Sequence, residues 1–227
     1  MAIQDSHPLK VLIIGNSFTA RNNLPALIAQ LATARGRTLQ HDLINKGGAS
    51  LRAHWNAGVA SKAIKDGKYN CVVLQEQSTL PVKNTGRMHE NVRLFDEAIR
   101  AAGSKTYLYM TWARQDAPES QQVITDAYVG IGRKLGATIV PVGSAWRAFL
   151  RKHDRPVLHD RDRSHPTLAG SYLAACVFFG ALFKESCIGV DGEVAGLNMQ
   201  DVALLQKTAW QACKSIALRN DSARKSC

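Results

Sequence analysis

The chain has 227 residues, of which 45% are hydrophobic and 21% are charged, a composition typical of a soluble globular protein. A chain of this length buries roughly 70 to 75% of its unfolded surface, so its core needs no disulfides or metal ions. The formal net charge of +11 admits an acidic partner. The densest basic segment, residues 151–163, nevertheless alternates with aspartates, which is typical of a solvated loop and not of a nucleic-acid surface.

The cysteines and the amino terminus predict the cellular compartment. The five cysteines show no paired spacing and no CxxC motif, which favours reduced thiols. The first residues lack the apolar stretch of a secretory signal, and no apolar run approaches the length of a membrane span. We therefore expect a cytoplasmic protein, or a mature form whose signal is missing, with no membrane partner.

Apolar runs alternate with helical periods along the chain, which is the pattern of a doubly wound parallel sheet. Asn23 is predicted to cap the first helix and Gly136 to end a later one. We expect one domain over residues 1–227, a three-layer α/β/α sandwich of the flavodoxin-like type around a parallel sheet of about five strands. The predicted strands are 11–14, 39–45, 71–74, 107–110 and 138–142.

Small and polar residues follow the predicted strand ends. Right-handed crossovers bring the carboxyl ends of parallel strands to one edge, where open α/β sheets bind their ligands. We therefore expect these segments to meet at one rim. The segments are Ser17, Gly47-Gly48, residues 75–78 and Thr111-Trp112.

Ser17, His165 and Asp162 have the residue types of a nucleophilic triad. A serine hydroxyl is a poor nucleophile unless a neighbouring base takes its proton. Asp162 and His165 are three residues apart, before a predicted helix. This spacing lets the carboxylate accept the imidazole Nδ1–H and leaves Nε2 for Ser17.

The same rim offers donors for an oxyanion hole. The backbone N–H of Ser17 is one candidate, and that of Gly48 is a second, because glycine permits a positive φ and close approach to a ligand. A side-chain amide, from Gln75 or Gln77, is the third. Trp112 ends the fourth strand and is expected either to border the substrate pocket or to pack as a structural aromatic.

Four blocks in this order resemble the SGNH or GDSL-like serine hydrolases. Gly15-Asn16-Ser17 resembles the nucleophile block, and Gly47-Gly48 stands in the place of the oxyanion glycine. Residues 72–78 stand where the Gly-x-Asn-Asp block belongs, and residues 162–165 match the terminal Asp-x-x-His. The resemblance implies the SGNH hydrolase fold and an esterase that cleaves small O-acyl groups, such as acetyl on a sugar.

Two positions depart from the family pattern. Asn16 replaces the usual aspartate of the first block, and the third block has no asparagine. Gln77 stands at the asparagine position, while Gln75 lies nearer the strand end. Asn16 and Gly47 are expected, with Trp112, to line the substrate site.

One alternative comes from a different functional class: a noncatalytic α/β module that binds an anionic small molecule at the Ser17 turn. The histidines and aspartates of residues 153–165 match no metal-ligand spacing, and no nucleotide-binding motif follows a strand. The sequence thus predicts an esterase of small-molecule or carbohydrate substrates that uses no metal or cofactor and binds no nucleic acid. It leaves the acyl chain, the alcohol and the oligomeric state open.

Overall fold

The computed structural model describes residues 7–191 and 197–224, with side chains described as far as position 215. Within these residues, five parallel strands form one sheet in the order β2-β1-β3-β4-β5. This arrangement confirms the α/β fold and the parallel sheet predicted from the sequence. The strands are β1 (Leu9–Gly15), β2 (Leu39–Asn45), β3 (Cys71–Leu74), β4 (Lys105–Tyr109) and β5 (Thr138–Val140).

Helices cover both faces of the sheet. One layer contains α1, α2, α8, α9 and α10, and the other contains α3, α4, α6 and α7, while the short α5 follows β3. In the described residues, no helix has both the length and the apolar character needed to cross a bilayer. The helices are α1 (Ser17–Ala20), α2 (Leu24–Ala34), α3 (Leu51–Ala57), α4 (Val59–Asp66), α5 (Leu80–Lys83), α6 (Thr85–Ala101), α7 (Gln121–Leu135), α8 (Val142–Leu150), α9 (Leu168–Phe183) and α10 (Met199–Arg224).

Strand β1 divides its side chains between two cores. Val11 and Ile13 pack in one layer, whereas Leu12 and Ile14 pack in the other, as the two-residue period of a strand requires. All four are buried, so the run is apolar without alternation, which is typical of a central parallel strand. This burial fixes the direction in which the chain leaves the sheet at Gly15.

Helix α9 is the buried support of the loop that precedes it. Its 16 residues contain no charged side chain, and it packs against α2, α8 and α10. Thr167 caps its amino terminus by accepting a hydrogen bond from Gly170 N at 3.2 Å. The segment that contains Asp162 and His165 is therefore anchored at its end by a rigid element.

Four local predictions differ from the structure, the first being β1, which spans Leu9–Gly15 and not only 11–14. β4 is Lys105–Tyr109, two residues earlier at its start and one at its end than predicted, and β5 ends at Val140 because Pro141 has no N–H for the ladder. Asn23 does not cap α2: its backbone is left-handed (φ 50°), and its side chain makes no capping hydrogen bond. Gly136 does end α7, with φ of 64°, as predicted.

Candidate active site

The carboxyl ends of β1, β2 and β3 lie side by side. Gly15 is in register with Asn45 of β2, and Ile14 is in register with Leu74 of β3. From β1, the next strand along the chain lies on one side (β2), and all later strands lie on the other side, beginning with β3. Such a change of direction opens a crevice beyond the carboxyl ends of the strands. Ser17, the glycine pair and the segment after β3 all emerge at this crevice.

The turn after β1 presents Ser17 at the start of α1. The Oδ1 atom of Asn16 accepts a hydrogen bond from Phe18 N at 3.2 Å and so caps this short helix. Gly15 has no room for a side chain, since a Cβ there would lie 2.5 Å from Thr19 Oγ1 and 2.7 Å from Gln75 Oε1. The Ser17 side chain is partly exposed, as a reacting hydroxyl must be.

Ser17, His165 and Asp162 form a continuous hydrogen-bonded chain. The Ser17 hydroxyl donates to His165 Nε2 at 2.7 Å, and His165 Nδ1 donates to Asp162 Oδ2 at 2.5 Å. The other carboxylate oxygen accepts the backbone N–H of Ser164 at 3.0 Å and of His165 at 2.8 Å. The structure brings these three predicted residues together in the order that proton transfer from serine requires.

These hydrogen bonds keep Asp162 ionised. The backbone N–H and the ring N–H of His165 hold the pKa of the Asp162 carboxyl far below its ordinary value, and Ser164 N adds to the effect. An ionised carboxylate at Nδ1 fixes the tautomer of His165 with its proton on that nitrogen. Nε2 is then free to accept a proton from Ser17.

Trp112 supports the His165 loop from beneath. Its Nε1 donates to Ser164 O at 3.0 Å, and its indole stacks on Trp146 at 3.9 Å with an interplanar angle of 5°. Phe18 packs on the other side, with its ring centroid 4.9 Å from that of Trp112. Because Trp112 is only 2% exposed, the prediction that it borders the substrate pocket is wrong, and its structural alternative holds.

The same loop is closed by contacts around Asp160. The backbone N–H of Asp160 donates to His165 O at 2.8 Å, and its carboxylate pairs with Arg21 at 3.0 Å. His159, buried next to Asp160, donates from Nε2 to Ala113 O at 3.1 Å. These contacts bind the loop to Arg21, just after α1, and to Ala113, in the segment that follows β4.

Residues 46–51, called the glycine loop below, contain the backbone N–H group of Gly48, which forms no hydrogen bond within the described residues. Gly48 is exposed and has φ of +67°, a conformation that side chains rarely adopt. The turn around it is fixed, since Lys46 N donates to Gly15 O at 3.3 Å and Ala49 N donates to Lys46 O at 3.1 Å. Among the described residues, neither Gly48 N–H nor Ser17 N–H has a hydrogen-bond acceptor.

Asn16 and Gly47, both expected to line the substrate site, lie in different environments. Asn16 is 2% exposed and donates from Nδ2 to Ala49 O at 3.0 Å, so it orders the turn and does not face the cleft. This is a correction of its predicted role. Gly47 is exposed, next to Gly48, and its place in substrate binding stays a prediction.

The two glutamines after β3 have separate roles. Gln75 is fully buried, its Oε1 accepting from Asn16 N at 2.9 Å and from Thr19 Oγ1 at 3.1 Å. Its amide nitrogen Nε2 is buried as well and donates to Glu76 O, so it does not face the cleft, and the prediction of Gln75 as an oxyanion donor is wrong. The structure leaves Gln77 as the remaining candidate.

Gln77 is partly exposed, and its Oε1 accepts from Thr79 N at 2.9 Å and from Leu80 N at 3.1 Å. Its Nε2 has no partner in the part of the chain that the structure describes. The side chain thus combines a held carbonyl with an available amide N–H.

Two buried ionisable residues near the site are absent from the sequence prediction. The Glu76 carboxylate lies two positions after the end of β3, and burial raises its pKa above the ordinary value. His54 of α3 donates from Nε2 to Gly15 O at 2.8 Å, and burial lowers its pKa. The signal for Glu76 is a carboxylate that continues an entirely apolar strand; His54 gives no comparable signal.

Among the described side chains, no group of three His, Cys, Asp or Glu residues is arranged to hold a metal ion. The described cysteines, at 71, 176, 187 and 213, are free thiols, whereas Cys227 lies outside the described residues.

No protein-family model matches the sequence, and no curated protein matches it either. Solved structures do. A protein from Slackia heliotrinireducens named as an SGNH hydrolase is 26% identical over 78% of this chain and 100% of its own, with a TM-score of 0.68. A DUF4886 family protein from Bacteroides uniformis is 21% identical over 91% of this chain and 95% of its own, with a TM-score of 0.74. An acetyl xylan esterase is 15% identical over 76% and 99% of the two chains, with a TM-score of 0.61.

Proposed function

Because this chain has the SGNH/GDSL-like hydrolase fold and its structural neighbours support a hydrolase function, we propose that it is a serine esterase acting through Ser17, His165 and Asp162. One observation carries the proposal: Ser17 Oγ lies 2.7 Å from His165 Nε2, and His165 Nδ1 lies 2.5 Å from Asp162 Oδ2. This distance is within the range that a general base needs to take a proton.

The proposed reaction proceeds through an acyl-enzyme. Ser17 Oγ attacks the ester carbonyl carbon while His165 Nε2 takes the hydroxyl proton, giving a tetrahedral intermediate. The intermediate expels the alcohol, which receives that proton from the imidazolium, and the acyl group remains on Ser17. A water molecule, deprotonated by His165, then releases the acid and restores the serine.

The developing negative charge on the carbonyl oxygen needs fixed donors. The backbone N–H groups of Ser17 and Gly48 and the Nε2 of Gln77, which have no acceptor among the described residues, support an oxyanion hole with three donors. Each such donor contributes about 10² to 10³ in rate in serine hydrolases. The proposed steps use only groups of this chain and water.

Small O-acyl esters, including acetyl groups on a carbohydrate, are the proposed substrates. Ser17 begins α1 just beyond the carboxyl end of β1 and is partly exposed, and Gly47 and Gly48 of the glycine loop are exposed. An exposed site suits a short acyl group on a bulky alcohol. Among the neighbours, one is named as an acetyl xylan esterase, and others are named as a lipase/acylhydrolase and as TesA.

The test measures p-nitrophenyl acetate hydrolysis and labelling by a fluorophosphonate probe in the wild type, Ser17→Ala and His165→Ala. We expect each substitution to lower kcat by about 10³-fold or more, because members of a triad act as a unit. Ser61→Ala is the matched control, since Ser61 lies on α4, donates its hydroxyl to Gly58 O and takes no part in the proposed reaction. Equal rates in all variants, with no label on Ser17, would favour the noncatalytic anion-binding alternative.

A further inference from the structure

Glu76 is a buried carboxylate that the proposed reaction does not use. It is 0% exposed and follows the last residue of β3 by two positions. A carboxylate in such a place is costly unless hydrogen-bond donors surround it. The groups that donate hydrogen bonds to the Glu76 carboxylate therefore determine whether it is stable in this position.

Three N–H donors converge on this side chain. Oε1 accepts from Leu51 N at 2.9 Å and from Gln77 N at 2.7 Å, and Oε2 accepts from Asn91 Nδ2 at 2.8 Å. Arg52 Nε donates in turn to Asn91 Oδ1 at 3.0 Å, so the Asn91 amide bridges the Arg52 guanidinium and the Glu76 carboxylate. The surroundings provide donors to each oxygen, as an ionised carboxylate requires.

Two of these three donors, Leu51 N and Gln77 N, belong to the segments that carry the proposed oxyanion-hole donors. Leu51 is the first residue of α3 and follows Gly48 by three positions. Gln77 carries the free amide. A single oxygen of Glu76 thus joins the backbone of the glycine loop to the backbone of the segment after β3.

Other bonds fix the opposite side of the glycine loop to the Ser17 turn. Asn16 Nδ2 donates to Ala49 O at 3.0 Å, and His54 Nε2 donates to Gly15 O at 2.8 Å. Without Glu76, the loop would keep these hydrogen bonds to the β1 side but lose the hydrogen bond from Leu51 N to the segment after β3. The separation between Gly48 N–H and the Gln77 amide would then be free to vary.

We propose that Glu76 is a positioning residue, which sets the geometry between the donors of Gly48 and Gln77 without touching the substrate. The inference rests on the proposed esterase function of the Ser17 site. Donors in an oxyanion hole act only when they are fixed before the charge develops. A loosened Gly48 loop therefore lowers the rate of the chemical step and leaves substrate binding nearly unchanged.

The first measurement is steady-state kinetics of Glu76→Gln with p-nitrophenyl acetate. Glutamine keeps the shape, but it turns an acceptor oxygen into an NH₂ group that faces the donors. We expect kcat to fall about 10- to 100-fold with KM within about threefold of the wild type.

The matched control is Asp96→Asn. Asp96 is also a buried carboxylate, 4% exposed, and it accepts from Thr106 Oγ1 at 2.6 Å and from Arg100 Nε at 2.8 Å. Thr106 lies at the amino end of β4, so this carboxylate is at the opposite edge of the sheet from Ser17. We expect Asp96→Asn to lower stability without the change in kcat.

The second measurement does not depend on activity: amide hydrogen exchange of the segment 46–51. We expect at least tenfold faster exchange there in Glu76→Gln and unchanged exchange in Asp96→Asn. Unchanged kcat and protection in Glu76→Gln would overturn the inference, and so would equal losses in both variants.

A different result identifies failure of the proposed function alone. If the wild type neither hydrolyses esters nor reacts at Ser17, the esterase proposal fails. Faster exchange confined to Glu76→Gln would still establish that the carboxylate holds the loop, whereas unaltered exchange would overturn that as well.

Discussion

Asn16 donates a hydrogen bond from its side-chain Nδ2 to the carbonyl oxygen of Ala49 at 3.0 Å. The other end of the same amide caps α1 through Phe18 N. One side chain therefore binds the turn that carries Ser17 to the loop that carries Gly48. The bond needs an N–H, which the aspartate usual in the resembled family does not have.

Replacing Asn16 with aspartate is expected to impair this protein although it restores the family residue. The carboxylate still caps α1 but repels the buried oxygen of Ala49. We expect a loss of about 1 to 3 kcal/mol in the free energy of unfolding, together with slower ester hydrolysis. Urea denaturation and p-nitrophenyl acetate kinetics measure both. A variant as stable and as active as the wild type would show that the bond contributes nothing.

Substitution of Asp162 by asparagine is expected to lower kcat by about 10³- to 10⁴-fold with KM little changed, because an amide at this position favours the wrong tautomer of His165. Asp160→Asn is the control in the same loop. Asp160 pairs with Arg21 at the surface, and exposed pairs contribute at most about 1 kcal/mol. Rates that fall equally in the two variants would contradict a specific role of Asp162.

Gln77→Glu separates two roles of one side chain. The carboxylate preserves the acceptor for Thr79 N and Leu80 N, but it removes the donor N–H and puts negative charge at the site. We expect kcat to fall about 10²-fold or more while thermal stability is retained. Full activity in this variant would mean that Gln77 only caps α5. The matched variant Gln75→Ala is expected to lose stability instead, since Gln75 Oε1 accepts from Asn16 N and Thr19 Oγ1.

The raised pKa of Glu76 predicts how stability depends on pH. The groups that face Glu76 are Arg52 on α3, Asn91 on α6 and Tyr128 on α7. Burial and the charge of Glu76 raise the pKa of the Tyr128 hydroxyl. As pH increases from the ordinary carboxyl pKa of 4.5 towards the raised value, the unfolded chain loses the Glu76 proton before the folded chain does. The contribution of this group to stability is thus fully present below pH 4.5 and declines above it.

The comparison with Glu76→Gln isolates this titration, because the substitution removes the Glu76 carboxyl and no other ionisable group. We expect the difference in melting temperature, wild type minus Glu76→Gln, to shrink as pH rises from 4.5. A difference that is constant with pH, or that widens, would contradict the raised pKa.

Much of the fold could be predicted from the sequence because the buried strands are uninterrupted apolar runs. Val11 to Ile14 and Cys71 to Leu74 pack on both faces of the sheet, and such strands are nearly continuous apolar runs. The Asp162–His165 pair could also be found, since three residues of separation bring both side chains to the same end of a loop. Local spacing was sufficient in these cases.

The remaining features of the site depend on partners distant in the sequence. Nothing local distinguishes Gln75 from Gln77; their roles follow from whether the Asn16 turn or the α5 turn takes the carbonyl. Glu76 is fixed by Leu51 and Asn91, which no spacing rule connects to it. Asn23 has the residue type of a helix cap, but its left-handed backbone prevents that role.

The stacked indoles of Trp112 and Trp146 give the protein an intrinsic optical reporter. Parallel rings 3.9 Å apart couple their electronic transitions, so the pair contributes a distinct signal to the near-ultraviolet circular dichroism spectrum. Trp112 is also tied to Ser164, the residue before His165. A shift of that loop during acylation would therefore change the spectrum, and the approach of substrate could be followed in the unlabelled protein.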